Sequence, residues 1–341
     1  MNEPRHIPIF LACDDNYAPF AATMMYSVLE HTDSVIDFYI LDGGISDDSK
    51  ILIAASLAVF EHKRLTYFDM SRYGLGRFPN VKHYSLNTFS RYFIPELAQQ
   101  LEKIIYLDVD IIVKGDIAEL YDEDMDGYPV AAVLEDFYAG NWTMLKEKIY
   151  PQYNGGDRYF NTGVLLLDIP QLIAGNYTDK MIKLTVELSD KLNCPDQDVF
   201  NILFENNFKV LDYRYNFMPG HWQMLQEKHP EIKTIAPFAI HYTAGKPWRG
   251  SCEMKEEFDR VLRETYFATL VKDKFQGEQK NISYSVRLFA FIPLLKIAVK
   301  RNKIYVKLFG VLPLYKITQK HGKAKHYLFG VLPWLVIKDK N

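Results

Sequence analysis

Cysteine is scarce in this chain of 341 residues. The three present, Cys13, Cys194 and Cys252, are widely separated and odd in number, which argues against a disulfide framework and favours a reducing compartment. The chain also lacks long hydrophobic runs, so we expect no segment that spans a membrane. Its first residues show no basic stretch followed by an apolar one, and we therefore expect no signal peptide.

Acidic residues are almost absent from the last part of the chain. Residues 280–341 hold 13 of the 40 lysine and arginine residues and a single acid, Asp339. The remainder holds 27 basic and 42 acidic residues, so the net charge of −3 combines a tail of +12 with a body of −15. Such a division indicates that the tail and the body have different partners.

The tail contains an internal repeat of 20 residues. The segments LFAFIPLLKI, LFGVLPLYKI and LFGVLPWL begin at Leu288, Leu308 and Leu328. A proline divides each segment, which disfavours a long continuous helix. Aromatic residues beside basic ones suit the surface of an anionic membrane, and we expect residues 280–341 to attach there. The alternative is a small helical repeat packed on the body or on a second subunit; nucleic acid is disfavoured, because the repeats lack an organised recognition element.

The body of the chain alternates short apolar strands with helices. Strands are predicted at residues 6–13, 35–41 and 64–68, helices begin near Pro19 and Ser46, and a longer helix occupies residues 88–101. Proline suits the first turn of a helix, and a serine followed by two acids is a favourable helix start. This order predicts an α/β fold with a doubly wound, mostly parallel sheet, in which ligands bind at the carboxyl ends of the strands.

The second half of the body continues the same alternation. Strands are predicted at residues 129–134, 164–167, 208–211 and 235–240, with a long helix at 173–192 and another from near Val199. No stretch before about residue 260 resembles a flexible linker. We therefore expect residues 1–265 to form one domain.

Residues 104–113 (IIYLDVDIIV) form a strongly apolar stretch that two carboxylates interrupt. Such a run predicts a strand in the middle of a parallel sheet. Asp108 and Asp110 are two residues apart, so in an extended chain they lie on the same side. Burying two like charges is costly, and either a divalent cation or a strand that ends here relieves the cost. The simpler alternative is a strand end with two solvated acids.

One histidine and one lysine downstream complete a candidate cation site. His241 ends a predicted strand, and Lys246 follows five residues later behind a glycine. Two carboxylates and an imidazole suit Mn²⁺ or Mg²⁺, with coordination positions left for diphosphate oxygens and water. A lone histidine is more often structural, but here it accompanies Asp108 and Asp110. Lys246 would reach the same phosphates as a point charge.

These segments resemble glycosyltransferase family 8, a group of retaining enzymes that includes bacterial lipopolysaccharide galactosyl- and glucosyltransferases and glycogenin. The matching segments are ACDDNY at 12–17, TFSR at 88–91, YLDVD at 106–110, FNTGVLL at 160–166, DQD at 196–198, NFMP at 216–219 and HYTAGKPW at 241–248. The resemblance covers roughly residues 7–250 and implies a GT-A fold, a nucleotide-sugar donor (usually a UDP-hexose) and Mn²⁺. The chain departs from the family in one place, where a residue is missing between His241 and Lys246.

The resemblance implies roles for the matched residues at the donor. Asp108, Asp110 and His241 would bind the metal, and Lys246 would stabilise the leaving diphosphate. Asp14, Asn16 and Tyr17 would hold uracil and ribose, and Arg91 would approach the diphosphate or the sugar. The complete set expected at the donor is Ala12, Asp14, Asn16, Tyr17, Arg91, Asp108, Val109, Asp110, Gly245 and Lys246.

A second group of residues is implied at the transferred sugar and the acceptor. It consists of Glu135, Asn161, Thr162, Asp196 and Gln197. The residues implied in catalysis are Asn161, Gln197, Asp198 and Lys246. Retention admits two mechanisms: Asp198 or a neighbour acts as the nucleophile of a double displacement, or the departing phosphate deprotonates the acceptor on the same face. We favour the second, since Gln197 is no strong nucleophile.

The sequence thus leads us to expect retaining, metal-dependent transfer of glucose or galactose from a UDP-sugar to a saccharide or lipid-linked saccharide. The product would be lipopolysaccharide or another bacterial surface glycan, made at the inner face of the cytoplasmic membrane. One alternative is a phosphatase of the haloacid dehalogenase type, in which an Asp-X-Asp pair usually follows the first strand. The other is a non-catalytic, membrane-associated protein that binds nucleotide sugars.

Overall fold

The computed structural model describes residues 5–78, 86–189, 191–268 and 270–271, together with the strands of the tail. The chain divides into two compact units, Met1–Thr265 and Tyr266–Asn341. Among the described residues, no helix combines the length and the apolar character needed to cross a membrane.

The first unit is built on a seven-stranded sheet and a two-stranded one. Its strands are β1 (His6–Cys13), β2 (Val35–Asp42), β3 (Lys63–Asp69), β4 (Lys103–Leu107), β5 (Ile111–Val113), β6 (Val130–Leu134), β7 (Phe160–Asp168), β8 (Lys209–Val210) and β9 (Ala239–His241). The order in the large sheet is β3-β2-β1-β4-β7-β6-β8, and β5 pairs with β9 in the small one. The pairs β3–β2, β2–β1, β1–β4 and β6–β8 are parallel, whereas β7 is antiparallel to both neighbours. The expected α/β fold with a mixed, mostly parallel sheet is confirmed.

Helices surround the sheets. They are α1 (Ala18–Leu29), α2 (Asp47–Ser56), α3 (Ile94–Leu97), α4 (Ile117–Asp122), α5 (Ala139–Met144), α6 (Ile169–Ala174), α7 (Tyr177–Glu187), α8 (Pro195–Leu203), α9 (Trp222–Lys228) and α10 (Lys255–Glu264). As predicted, Pro19 lies in the first turn of α1, and the Ser46 hydroxyl caps α2 by accepting a hydrogen bond from Ser49 N at 3.2 Å. The middle residues of the central strands are buried: Ile9, Phe10 and Ile105 have no exposed surface.

The antiparallel strand β7 explains how distant segments meet at one edge of the sheet. The carboxyl ends of β1, β4 and β6 lie at this edge, and β7 runs the opposite way, so its beginning lies there too. A backbone hydrogen bond of 2.8 Å from Asp108 N to Gly163 O marks the meeting point. Residues that follow Cys13, Leu107 and Leu134 therefore lie at the same edge of the sheet as the first residues of β7.

Four predicted elements differ from the structure, and two of them precede β7. Residues 104–113 form two strands rather than one, because the chain leaves the large sheet after Leu107 and pairs with β9 from Ile111 onward. The helix predicted at 88–101 is a 3₁₀ helix (Leu86–Phe93) followed by the single turn of α3, whose first turn contains Pro95. Proline fits the first turn of a helix but not its interior.

The other differences concern the helices after β7. The helix predicted at 173–192 is divided into α6 and α7, because Asn176 adopts a left-handed conformation with φ of 49°. Asparagine is one of the few residues besides glycine that tolerates this conformation. Helix α8 begins at Pro195 and not near Val199, so the DQD segment lies in its first turn.

The second unit contains a six-stranded antiparallel sheet in which each strand pairs with the next. Its strands are β10 (Ile282–Leu288), β11 (Ile292–Lys300), β12 (Lys303–Leu308), β13 (Leu312–Lys320), β14 (Lys323–Leu328) and β15 (Leu332–Lys338). The helical alternative for this repeat is wrong. Each proline is the second residue of its strand, a position near the strand's start that proline tolerates, and the register shifts beside it. Phe289, Phe309 and Phe329 lie outside the described residues.

Candidate active site

Three side chains that are far apart in the sequence converge at the edge where β4 ends. Asp108 and Asp110 follow β4, and the pairing of Ile111 with His241 in the small sheet brings the histidine beside them. One ligand atom from each of the three residues lies within 4.8 Å of the others. His241 Nε2 is 3.3 Å from an Asp110 oxygen and 3.9 Å from an Asp108 oxygen. The structure thus assembles the expected trio.

The surroundings of the trio fit a hard divalent cation. Its donor atoms are two carboxylate oxygens and one imidazole nitrogen, the set that suits Mn²⁺ or Mg²⁺. Strand β7 passes so close that a Cβ on Gly163 would lie 2.2 Å from His241 Cε1 and 3.0 Å from an Asp108 oxygen. Only glycine leaves this space open. The shape of the site therefore depends on the start of β7 in addition to the three candidate ligands.

The orientation of His241 is fixed by Asn216, a residue for which the sequence predicted no individual role. Asn216 is fully buried; its amide donates to Asn161 Oδ1 at 2.8 Å, and its carbonyl oxygen lies 2.8 Å from His241 Nδ1. A carbonyl oxygen accepts only, so His241 Nδ1 carries the proton and Nε2 keeps its lone pair for a cation. Such supporting contacts are usual behind metal-binding histidines.

Lys246 contacts the metal site directly. Its ammonium group donates to Asp110 Oδ2 and, at 2.7 Å, to the carbonyl oxygen of Tyr242. Burial raises the pKa of Asp110, but the positive charge of Lys246 outweighs this effect and holds the pKa well below its usual range. The carboxylate is therefore ionised and able to bind a cation, with the lysine ammonium group directly beside it.

Arg91 occupies a position beneath the metal site. It is 6% exposed, and its guanidinium contacts Asp108 at 2.8 Å, Asp196 at 3.0 Å and the Thr162 carbonyl oxygen at 2.9 Å. Both outer nitrogens thus bind the protein itself. Arg91 thus anchors Asp108, and the contact with the donor that the resemblance implied stays a prediction.

Asp196 and Thr162 belong to the same buried support. Asp196 is 5% exposed and accepts a hydrogen bond from the Thr162 hydroxyl at 3.3 Å, in addition to its pair with Arg91. Burial raises the pKa of Asp196, and the charge of Arg91 opposes that effect. Both residues therefore hold α8 against β7, and their expected contact with the substrate stays a prediction.

A cluster of amides and one carboxylate lies beside the trio. Glu135 accepts hydrogen bonds from Asn161 at 2.8 Å, Gln197 at 3.1 Å and Asn141 at 2.7 Å. Asn161 in turn connects the cluster to Asn216 and so to His241. The expected residues Glu135, Asn161 and Gln197 are brought together; the part of Asn141 was not foreseen, because nothing in the sequence relates α5 to β7.

Asp198 does not face this cluster. It is 1% exposed, and its two oxygens accept hydrogen bonds from the Tyr159 hydroxyl at 2.8 Å and from the backbone of Asn193 and Cys194 at 2.9 Å each. Burial raises its pKa to about 6 in spite of these bonds. The carboxylate stabilises the turn before α8, and its part as the nucleophile of a double displacement, the less favoured of the two mechanisms, stays a prediction.

The turn after β1 lies against the segment that carries Lys246. Asp14 accepts hydrogen bonds from the backbone of Asn16 at 2.9 Å and Tyr17 at 3.2 Å. The Tyr17 ring meets the Trp248 ring edge-on, with centroids 6.1 Å apart. Half-buried Ala12 precedes this turn at the end of β1, and Val109, 8% exposed, lies between the two metal-site acids.

Packing explains why position 245 is a glycine, which the resemblance did not indicate. A Cβ at this position would lie 2.9 Å from the Cβ of Cys252. The close approach is therefore to the protein's own chain. Whether the backbone at Gly245 also contacts the donor stays a prediction.

Comparison with known proteins assigns the chain to a family. The family model described as "Glycosyl transferase family 8" matches residues 8–252. The chain belongs to this family. It is therefore a glycosyltransferase, and the alternative of a haloacid-dehalogenase-type phosphatase is wrong.

Individual relatives agree with this family. Glycosyltransferase GlyF of Streptococcus pneumoniae is 30% identical over 243 residues, which cover 70% of this chain and 56% of GlyF. The lipopolysaccharide 1,2-glucosyltransferase of Escherichia coli is 27% identical, covering 73% of this chain and 74% of the relative. The chain thus spans little more than half the length of GlyF.

Solved structures agree on the GT-A fold. The galactosyltransferase LgtC, solved with donor and acceptor sugar analogues, superimposes with a TM-score of 0.65 at 25% identity, covering 76% of this chain and 96% of LgtC. The bifunctional glycosyltransferase WbbM gives a TM-score of 0.68 at 20% identity, covering 81% of this chain and 53% of WbbM.

Proposed function

We propose that this family 8 enzyme transfers glucose or galactose from a UDP-sugar to a saccharide acceptor, with retention of configuration and with Mn²⁺ or Mg²⁺ as cofactor. The observation that carries the proposal is the adjacency of two sites. Asp108, Asp110 and His241 form a place for a metal-bound diphosphate, and the amide cluster around Glu135 lies next to it. Relatives named for lipopolysaccharide glucosyl transfer and for galactosyl transfer support a role in bacterial surface glycan synthesis.

The residues have complementary tasks in this proposal. When the bond between the sugar and the diphosphate breaks, negative charge develops on the leaving oxygen. Lys246 neutralises that charge from one side, and the bound cation supplies Lewis-acid stabilisation. Asn161 and Gln197 bind hydroxyl groups of the sugar through the amide atoms that now contact Glu135.

Retention follows in this proposal from a reaction on one face of the sugar. Both oxygens of Asp198 accept hydrogen bonds from the protein itself, so this carboxylate is held away from the sugar. Gln197 is uncharged. The departing phosphate is therefore the base that takes the proton of the incoming acceptor hydroxyl.

The test is the formation of UDP from UDP-glucose and UDP-galactose, in the presence of Mn²⁺, of Mg²⁺ or of a chelator. We expect UDP to form with one donor and to require the metal. An Asp110→Asn variant that forms UDP at the wild-type rate would contradict the proposal. The absence of UDP with every donor and saccharide acceptor tried, despite measurable donor binding, would favour the non-catalytic alternative.

We further propose that the tail attaches the enzyme to the inner face of the bacterial cytoplasmic membrane, where a lipid-linked saccharide acceptor is accessible. The support is the charge of +12 in residues 280–341 together with the aromatic repeats. Flotation of the full chain with anionic liposomes, compared with a chain that ends at residue 275, tests the attachment. Equal binding by both proteins would refute it.

A further inference from the structure

The register of the tail sheet sorts its residues into two chemically different faces. Alternate residues of a strand lie on opposite faces of a sheet, and residues paired across strands share a face. Lys296 pairs with Ser285 and Lys307, and Lys316 pairs with Tyr305 and Tyr327. Followed through all six strands, this register places every basic residue of the strands on one face, which we call the basic face. Its basic residues are Arg287, Lys296, Lys300, Lys303, Lys307, Lys316, Lys320, Lys323, Lys325 and Lys338.

The opposite face carries almost only apolar residues. Rows such as Ile297, Val306 and Tyr315, or Val299, Ile304 and Ile317, cross the sheet there. His326 is its one ionisable group other than tyrosine, and no strand of the tail contains an acid. The 20-residue repeat therefore encodes a sheet with one apolar and one cationic face.

The basic face brings like charges into direct opposition. Lysines are paired with each other across neighbouring strands at four places. These pairs are Lys296–Lys307, Lys300–Lys303, Lys320–Lys323 and Lys323–Lys338. Like charges directly opposite each other destabilise a sheet, and the strands contain no acid to offset them. Such a register is favourable where an anionic partner covers the face.

The basic residues form a two-dimensional array. From the row of Lys296 to that of Lys320 the positions extend about 20 Å along the strands, and from β11 to β15 they extend about 19 Å across the sheet. A linear polyanion fits a groove or a single line of charges. An array that is as wide as it is long fits a planar anionic surface.

We propose that the basic face is the surface by which this protein lies on a bilayer of anionic phospholipids. The proposal rests on the membrane attachment proposed above and specifies its geometry. Binding depends on the lysines aligned by the sheet, and basic residues of the tail outside the strands contribute less. Lys280, Arg301 and Lys340 are such residues, and they provide a charge-matched comparison.

The experiment compares two full-length variants, each lacking three positive charges of the tail. One carries Lys296→Gln, Lys307→Gln and Lys316→Gln on the basic face. The other carries Lys280→Gln, Arg301→Gln and Lys340→Gln. Binding is measured by flotation with phosphatidylglycerol–phosphatidylcholine vesicles, and with phosphatidylcholine vesicles as the uncharged reference.

We expect the face variant to bind on the order of a hundredfold more weakly than the unaltered chain, at about fivefold per lysine near an anionic surface. The other variant should lose far less. Equal losses in the two variants would overturn the proposal, because the tail would then act through its net charge alone. Arginine at the same three face positions should retain binding, which separates loss of charge from misfolding.

Two further readouts separate the proposals from each other. If the full chain does not bind anionic vesicles at all, the membrane attachment itself fails. If soluble polygalacturonate binds the basic face more tightly than vesicles of equal charge, a polysaccharide partner replaces the bilayer. UDP formation in solution should be the same in both variants, so that a failure of sugar transfer is recognised independently.

Discussion

The body and the tail of this protein use charged residues in opposite ways. In the body, charges of opposite sign are buried against each other: Arg91 contacts Asp108 and Asp196, and Lys246 contacts Asp110. In the tail, lysines lie opposite lysines in the register of a sheet whose strands contain no acid. Internal pairing fixes the geometry of a small site. Aligned like charges in the tail instead require an anion from outside the protein. The body is therefore built as a site for a small ligand, and the tail as a surface for a large one.

The largest effect should follow removal of one carboxylate from the body. We expect Asp110→Asn to lower metal-dependent UDP formation at least about a thousandfold, because the variant loses a metal ligand and the partner of Lys246. Activity at several Mn²⁺ concentrations, together with calorimetric titration of Mn²⁺, measures this effect. Asp122→Asn, at the exposed pair with Arg5, is the control. Normal Mn²⁺ affinity in Asp110→Asn would show that the trio is not a metal site.

Filling the space that Gly163 keeps open should have almost as large an effect on metal binding. Gly163→Ala places a methyl group 2.2 Å from His241 Cε1, so the histidine or β7 must move. We expect Mn²⁺ affinity to fall about a hundredfold. Gly76→Ala, where a Cβ would meet nothing within 4 Å, should leave it unchanged. An unaltered affinity in Gly163→Ala would mean that His241 is not a ligand.

Asn216 tests whether the tautomer of His241 matters. Asn216→Leu removes the acceptor for His241 Nδ1–H, and we expect Mn²⁺ affinity to fall about ten- to a hundredfold. Asn216→Asp keeps an acceptor at that nitrogen but loses the donor to Asn161. Its metal affinity should therefore be closer to that of the wild type, while its KM for the sugar donor rises. If both variants lose affinity equally, Asn216 acts only through packing.

Asp198 tests how burial alone affects a carboxylate that forms no salt bridge in the described part of the chain. Its pKa is raised to about 6, so the folded protein binds its proton more tightly than the unfolded chain does. Ionised Asp198 therefore lowers the free energy of unfolding at pH 7. This destabilisation disappears as the pH falls through about 6 towards 4, because the carboxylate becomes protonated. Relative to Asp198→Asn, the wild type should gain on the order of 2–3 kcal/mol in free energy of unfolding over that range. Denaturant unfolding of both proteins measures this, and a constant difference would contradict the raised pKa.

The smallest effect should be that of salt on the body. Raising the ionic strength from about 0.1 M to about 1 M shortens the Debye length from about 10 Å to about 3 Å. Mn²⁺ affinity should change less than about threefold, since the pairs are buried, while vesicle binding by the tail falls more than about tenfold. If salt changed Mn²⁺ affinity and vesicle binding by the same factor, the body and the tail would not differ in how they use charge.

Much of the local structure could be read from the sequence. The strands β1 and β2 and the capped start of α2 follow from alternating apolar runs and from Ser46. Asp108, Asp110 and His241 were recognisable as candidate ligands of a hard cation by their chemistry, and the structure brings them together. Helix breaks were less predictable, because the left-handed Asn176 is one of many asparagines that could end a helix.

Roles within the site were harder to assign. Asp198 and Gln197 are neighbours in the first turn of α8, yet one enters the core and the other faces Glu135. Arg91 is in the expected place, but its partners are carboxylates of the protein. Spacing alone does not tell which side of a helix turn meets the ligand, since that depends on what packs behind it.

The sequence by itself determined the chemistry available to this protein: apolar strands that build a mostly parallel sheet, two acids at the end of one of them, and a cationic, repetitive tail. Tertiary structure decided the rest. Antiparallel β7 and the pairing of β5 with β9 bring Asn161, Gly163 and His241 to the acids, and the register of the tail sheet collects its lysines on one face. These contacts join residues distant in sequence, and their geometry is set by strand direction and register, which local residue preferences do not encode.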